Sequence, residues 1–320
     1  MSRRSDRRLV STGRLRRLKP ALDRLYADYD REASVADPVE IVRRYRDPAD
    51  REVAGFLAAA LAFGRVAGVL QTIERVLAVA GPAPASFVRT FDPTRHTAAF
   101  RSVVHRWTSG TDIASLVWIV GRMIESAGSI ESFFLEGDDP ASDDVGPGID
   151  SLSRRALAWA GQARGRVPAP RGGAAAPGVS YFFPRPSHGS ACKRLNLFLR
   201  WMVRRDAVDP GGWSRVSRSR LVIPLDVHVI RVGRCLRLTL RKSPGWGMAT
   251  DITRSLHAID PEDPVRYDFA LCHLGMQGLC GFGTAQGDRR CPLRGACRAR
   301  GAETRYGAGG RPRRAARTAS

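Results

Sequence analysis

The eleven residues from Val53 to Phe63 read Val-Ala-Gly-Phe-Leu-Ala-Ala-Ala-Leu-Ala-Phe. Just upstream, Asp47-Pro48 opens the segment. Asp caps a helix, and Pro suits its first position. The spacing therefore predicts a helix, and one without a polar face has to be buried. A buried central helix requires other helices around it, and the chain supplies the patterns for them. Asp37-Pro38 opens a second capped helix in the same way. Helical spacing recurs from Leu15 to Arg31 and from Val66 to Leu77, where Gly81-Pro82 supplies a stop. It recurs from Ser115 to Ile124, Ile149 to Ala160, Ser190 to Val203, Val227 to Leu238, Ala249 to Ala258 and Asp263 to Leu274. Strand-like alternation is almost absent and no internal repeat shows. The predicted fold class is all-α.

The organisation follows from where these patterns stop. Residues 1–19 read as a basic disordered arm, 20–297 as one helical domain, and 298–320 as a basic tail too poor in apolar residues to fold. Within the domain, Glu136 to Asp144 is an acidic loop and 162–180, rich in Gly, Ala and Pro, is a linker or surface loop. The aromatic positions Trp107, Trp118, Phe133 and Trp201 fit the core.

Charge narrows the partners. Lys plus Arg number 52 against 31 acidic residues, a net charge of +21. That balance suits a polyanion, nucleic acid first and an anionic membrane surface second, or else reflects a basic proteome with basic tails. Only Lys19, Lys193 and Lys242 are lysines, so each is a candidate for amine chemistry that Arg cannot perform. No apolar run reaches the length of a membrane span, and Met1 to Pro20 lacks the apolar region of a secretory signal. Six cysteines, four of them in the last fifth of the chain, suit a metal or iron–sulfur site in a cytoplasmic protein better than a disulfide framework. A nucleoid-associated monomer is the expected state.

Two segments carry chemistry. Pro224-Leu225-Asp226-Val227-His228-Val229-Ile230-Arg231-Val232 places a carboxylate at the head of an amphipathic helix. Read alone, Asp226 is an N-cap. Arg185-Pro186-Ser187-His188-Gly189-Ser190-Ala191-Cys192-Lys193-Arg194 is a Pro/Gly turn running into a helix. Such a turn can present amides to a phosphate, or be only a turn.

Together they resemble the helix–hairpin–helix, Gly/Pro-Asp superfamily of DNA glycosylases, of which endonuclease III is the familiar member. Asp226, His228, Arg231 and Val232 match its Asp-x-His-x-x-Arg-Val motif, and Gly189 its second hairpin glycine, while Ser187 replaces the first. More narrowly, the chain is similar to the domain-of-unknown-function 2400 family. That likeness rests on Asp47-Pro48-Ala49-Asp50-Arg51-Glu52, Leu61-Ala62-Phe63-Gly64-Arg65-Val66 and Ser190-Ala191-Cys192-Lys193-Arg194-Leu195-Asn196, and covers about 20–297.

The resemblance implies a two-lobed helical fold and a protein that flips a damaged or mismatched base and cleaves its glycosidic bond. It implies that Asp226 stabilises the oxocarbenium ion or orients a nucleophile. Ser187, His188, Gly189, Ser190, Arg194, Arg65 and Arg231 would contact DNA, mainly its phosphates. Bifunctional members carry a lysine on the first turn after the hairpin. Ungapped alignment puts Ala191 there, and a slip of two residues puts Lys193 there as the lyase nucleophile. His228 reads as structural. Cys280, Cys291 and Cys297 resemble part of a four-cysteine [4Fe–4S] segment, with Cys272 or Asp288 as the fourth ligand. Three cysteines with His273 could instead hold zinc, or the cluster is lost. The alternatives to a glycosylase are a non-catalytic nucleic-acid-binding helix–hairpin–helix protein and an iron–sulfur redox sensor bound to DNA.

Overall fold

The structure is a computed structural model that describes residues 11–29, 36–166, 178–280 and 290–294. Thirteen α-helices form among these residues, and no strand forms beyond two isolated bridges, His105–Thr108 and Arg205–Pro210. The fold is all-α, as expected.

Helix α1 (Thr12–Ala27) is the first departure from the sequence reading. It buries Leu15, Leu18, Leu22 and Leu25 on one face, so the disordered arm cannot extend to residue 19. Residues 1–10 lie outside the described set. The i, i+3, i+7 leucine spacing was present among the arginines, and core contact decides which of the two signals wins.

Helices α2 (Pro38–Arg43) and α3 (Pro48–Leu61) start as their caps require. The Asp37 carboxylate accepts from the Val39 amide at 2.9 Å, and that of Asp47 from Ala49 and Asp50 at 2.9 and 3.0 Å. Every residue of α3 from Glu52 to Leu61 is buried, because α2, α4 (Val66–Ala80), α5 (Pro84–Arg89) and α10 (Lys193–Val203) pack around it. Gly81, at positive φ, ends α4. Helix α6 (Pro93–His96) is a single turn. Helix α7 (Gly110–Ala127) opens with a capping box between Ser109 and Asp112 and packs on α5, α8 (Ile130–Leu135) and α9 (Gly146–Arg166). Because α9 runs to Arg166, the expected linker is shorter at its start, while 167–177 lie outside the described residues.

Glu52 ties these layers together. It stands on α3 and accepts from the amides of Ile130 and Glu131 at 2.9 and 2.8 Å and from the Trp213 indole at 2.8 Å. Burial pushes its carboxyl above the usual range, against the pull of those three donors.

The last helices are α11 (Val227–Cys235), α12 (Trp246–His257) and α13 (Asp268–Met276). Helix α13 packs on α11, and Tyr267 just before it donates to Asp23 of α1 at 2.7 Å. The end of α10 is fixed by a buried network in which Arg200 pairs with Asp209 and Asp268, and Arg204 with Asp206, Asp209 and Asp263. Isolated buried charges would be costly, and here each guanidinium meets more than one carboxylate.

Candidate active site

Asp226 is the N-cap of α11. Its Oδ1 accepts from the amides of His228 and Val229 at 2.9 and 2.8 Å. Its Oδ2 accepts from the thiol of Cys272, on α13, at 3.1 Å. The carboxylate is half-buried rather than lost in the core. Burial and the charges of Asp226 and Asp268 push the Cys272 thiol up, while the nearby ammonium of Lys193 opposes them. Asp226 and Cys272 thus meet across α11 and α13, and the charge of Lys193 at the start of α10 is felt at the thiol.

Lys193 is the first residue of α10. The sequence pattern had started that helix at Ser190, but Cys192 sits in the left-handed region (φ +47°) and Gly189 likewise (φ +77°), so no helix can run through them. Ala191 therefore lies outside the helix, and Lys193 occupies its first turn.

The Pro/Gly turn docks against the start of α12. The carbonyl of Gly189 accepts from the Trp246 amide at 3.1 Å. A Cβ on Gly245 would come within 2.7 Å of that carbonyl, which is why glycine stands there. The turn amides are already used. Ser187 donates to Asp150, His188 and Ser190 to the Arg185 carbonyl, and Gly189 to that of Pro186. The expected amide cradle for a phosphate is thus closed in this arrangement, and the exposed side chains of Ser187 and His188 are what the turn offers. Asp150 holds the turn by pairing with Arg185 at 2.7 Å, an ion pair that keeps its carboxyl low, at about 2, against the effect of burial.

Arg194 is a correction. It is buried and its guanidinium is spent on the carbonyls of Ala60 and Tyr181, so it braces the fold and does not face a phosphate. Arg65, the residue before α4, and Arg231 on α11 are exposed. His228 contributes its backbone to the Asp226 cap. Its ring packs so closely on Gly275 that a Cβ there would come within 2.6 Å of His228 Cβ.

Of the aromatic positions, Trp118, Phe133 and Trp201 are core as expected, but Trp107 is 44% exposed. It sits on the tight turn His105–Thr108 beside Arg106, itself at positive φ (+58°) and stacked over the indole at 5.5 Å. Trp107, Phe63 and Tyr181 form a triangle with ring centroids 5.0–5.3 Å apart. Arg65 and Gly64 adjoin Phe63 in the chain, so an aromatic and basic surface forms at this corner. The signal available in the sequence was Arg106-Trp107 just ahead of Thr108-Ser109-Gly110, where the next helix is capped.

The cysteines separate. Cys272 bonds to Asp226. Cys280 and Cys291 are buried, while Asp288 and Cys297 lie outside the described residues. Among the described residues no group of three His, Cys, Asp or Glu side chains is placed to hold a metal. His273 is turned back on its own helix, with Nδ1 2.9 Å from the Phe269 carbonyl. Also among the described residues, no helix is long and apolar enough to cross a membrane.

A family model described as "Protein of unknown function (DUF2400)" matches residues 37–277. No curated protein and no solved structure matches the chain.

Proposed function

The chain belongs to the DUF2400 family, and we propose that it is a DNA glycosylase of the helix–hairpin–helix type. The observation that carries this reading is the half-buried carboxylate of Asp226 at a helix head, with Lys193 opening the neighbouring motif's helix α10. A capping carboxylate needs only one oxygen for its cap. The second can meet positive charge developing on a sugar carbon.

In this reading the base leaves the stack and its sugar carbon meets Asp226, whose charge stabilises the oxocarbenium-like transition state. Having given up its proton, Lys193 attacks that carbon as a free amine in a bifunctional reaction. The new C–N bond replaces the one to the base, the base leaves protonated, and the second amine proton passes to the ring oxygen as the sugar opens to a Schiff base. Arg65, Arg231, Ser187 and His188 meet backbone phosphates. The exposed Trp107 face offers stacking to unpaired bases, a sequence-tolerant contact. A [4Fe–4S] cluster on the C-terminal cysteines would supply folding energy to that segment, and no step here depends on it.

The test is a panel of duplexes, each carrying one lesion or mismatch, incubated with the protein and then treated with alkali. Strand scission at one lesion supports the reading. Binding to every duplex with scission at none supports the non-catalytic DNA-binding alternative, which the net charge of +21 favours equally.

A further inference from the structure

We propose that Cys272 is a positioning residue for Asp226: its thiol pins Oδ2 of the carboxylate and so sets where that oxygen's remaining lone pair points. The inference rests on the glycosylase reading only in what that direction is used for.

The geometry begins with α11 and α13. Gly275 lets α13 approach His228 more closely than any side chain would permit. Cys272 lies three residues earlier, on the same helix face. The contact that seats Gly275 therefore also delivers the thiol to Asp226, 46 positions away in sequence, at 3.1 Å. Oδ1 is filled by two backbone donors, so the carboxylate has one axis of freedom left, and the thiol closes it. Met276 Sδ, 3.8 Å from Cys272 Sγ, is the other acceptor in reach of the thiol's one proton, and a thioether accepts far more weakly than the carboxylate at 3.1 Å.

A thiol suits this task. It is a weak donor, so it orients the oxygen while neutralising little of its charge. An ammonium or guanidinium in its place would orient as well and cancel the charge the reaction uses. The sulfur's surroundings, with Asp226 and Asp268 close by, hold it protonated, as a donor must be. Cys272 thus acts through Asp226 and needs no contact with DNA.

Infrared difference spectra of the full-length protein test the bond without any substrate. Asp226→Asn should shift the S–H stretching band that Cys272→Ser removes, and a band left unmoved overturns the proposal. On a duplex whose lesion the wild type excises, Cys272→Ala should slow single-turnover excision about tenfold at unchanged DNA affinity, as expected for a lost bond to a charged group. Cys272→Ser, which keeps a donor, should restore most of the rate. Equal rates in wild type and Cys272→Ala overturn the positioning role. So does a Ser variant as slow as Ala, since packing alone would then explain both. If the wild type excises no lesion, the glycosylase reading falls, and the infrared shift still decides whether Cys272 holds Asp226.

Discussion

Arg194 sits over Tyr181, its guanidinium carbon 3.8 Å from the ring centroid. Burial pulls its pKa down to about 10, so the group remains charged at neutral pH and is satisfied by carbonyls and the ring face. The stack joins the start of α10, which carries Lys193, to the corner that carries Trp107 and Arg65. One arginine expected on DNA thus links the two surfaces that the proposed function uses.

Asp226→Asn should fold and bind DNA as the wild type does, because Asn caps a helix nearly as well as Asp. Excision should drop by roughly a hundredfold or more, since the charge facing the oxocarbenium ion is gone. Thermal melting and gel-shift affinity check the first half, and single-turnover kinetics on the identified lesion the second. Full activity in this variant would remove the mechanism.

Lys193 makes a separable prediction. Borohydride should trap wild type covalently on its lesion duplex, and Lys193→Gln should leave no trapped species. Excision by Lys193→Gln should fall together with the trapping, and what remains should leave an intact abasic site that only alkali cleaves. Trapping that survives in Lys193→Gln would move the nucleophile elsewhere.

Duplex affinity should fall steeply with salt, by about tenfold or more between ~50 and ~200 mM if several phosphates are contacted. Trp107→Ala should weaken binding to single-stranded DNA by about 1–3 kcal/mol, the worth of one base stack, with the salt slope unchanged. Fluorescence anisotropy over a salt series measures both. A steeper or flatter slope in Trp107→Ala would mean the turn acts through charge instead.

Asp268 should impose a pH dependence on stability. Burial, opposed by Arg200 and helped by the charge of Asp226, raises its pKa from 3.8 to about 6. A carboxyl raised in the folded state binds its proton more tightly there than in the unfolded chain. Its favourable contribution is therefore complete below about 4 and is lost as pH rises through about 6. Urea unfolding at a series of pH values should show this decline in wild type, and Asp268→Asn should lack it. Parallel curves for the two proteins would refute the assignment.

The C-terminal cysteines can be assayed directly. If Cys280, Cys291 and Cys297 hold a cluster, purified protein should contain iron and absorb in the visible, and Cys291→Ser should lose both and melt lower. Zinc without iron would support the alternative set. Neither metal, with melting indifferent to chelators, would leave these thiols as packing residues.

Helix starts at Pro38, Pro48 and Val227 were legible because a cap is satisfied within three residues of chain, by Asp37, Asp47 and Asp226 themselves. The buried length of α3 was legible for a similar reason, since a helix with no polar face has only one place to be. Asp226 could accordingly be picked out from the sequence alone. What it touches could not. Cys272 reaches it only through the packing of α11 on α13 at Gly275, and that contact depends on surfaces 46 residues apart. Lys193 gained its place at the helix start from left-handed Cys192, a conformation that no local preference demands. Arg194 and Trp107 exchanged the roles their chemistry suggested, the charge going inside and the indole outside. Local hydrogen bonding is short in range and written along the chain, whereas burial is assigned by whichever helices arrive next to a residue, and only the folded chain brings them there.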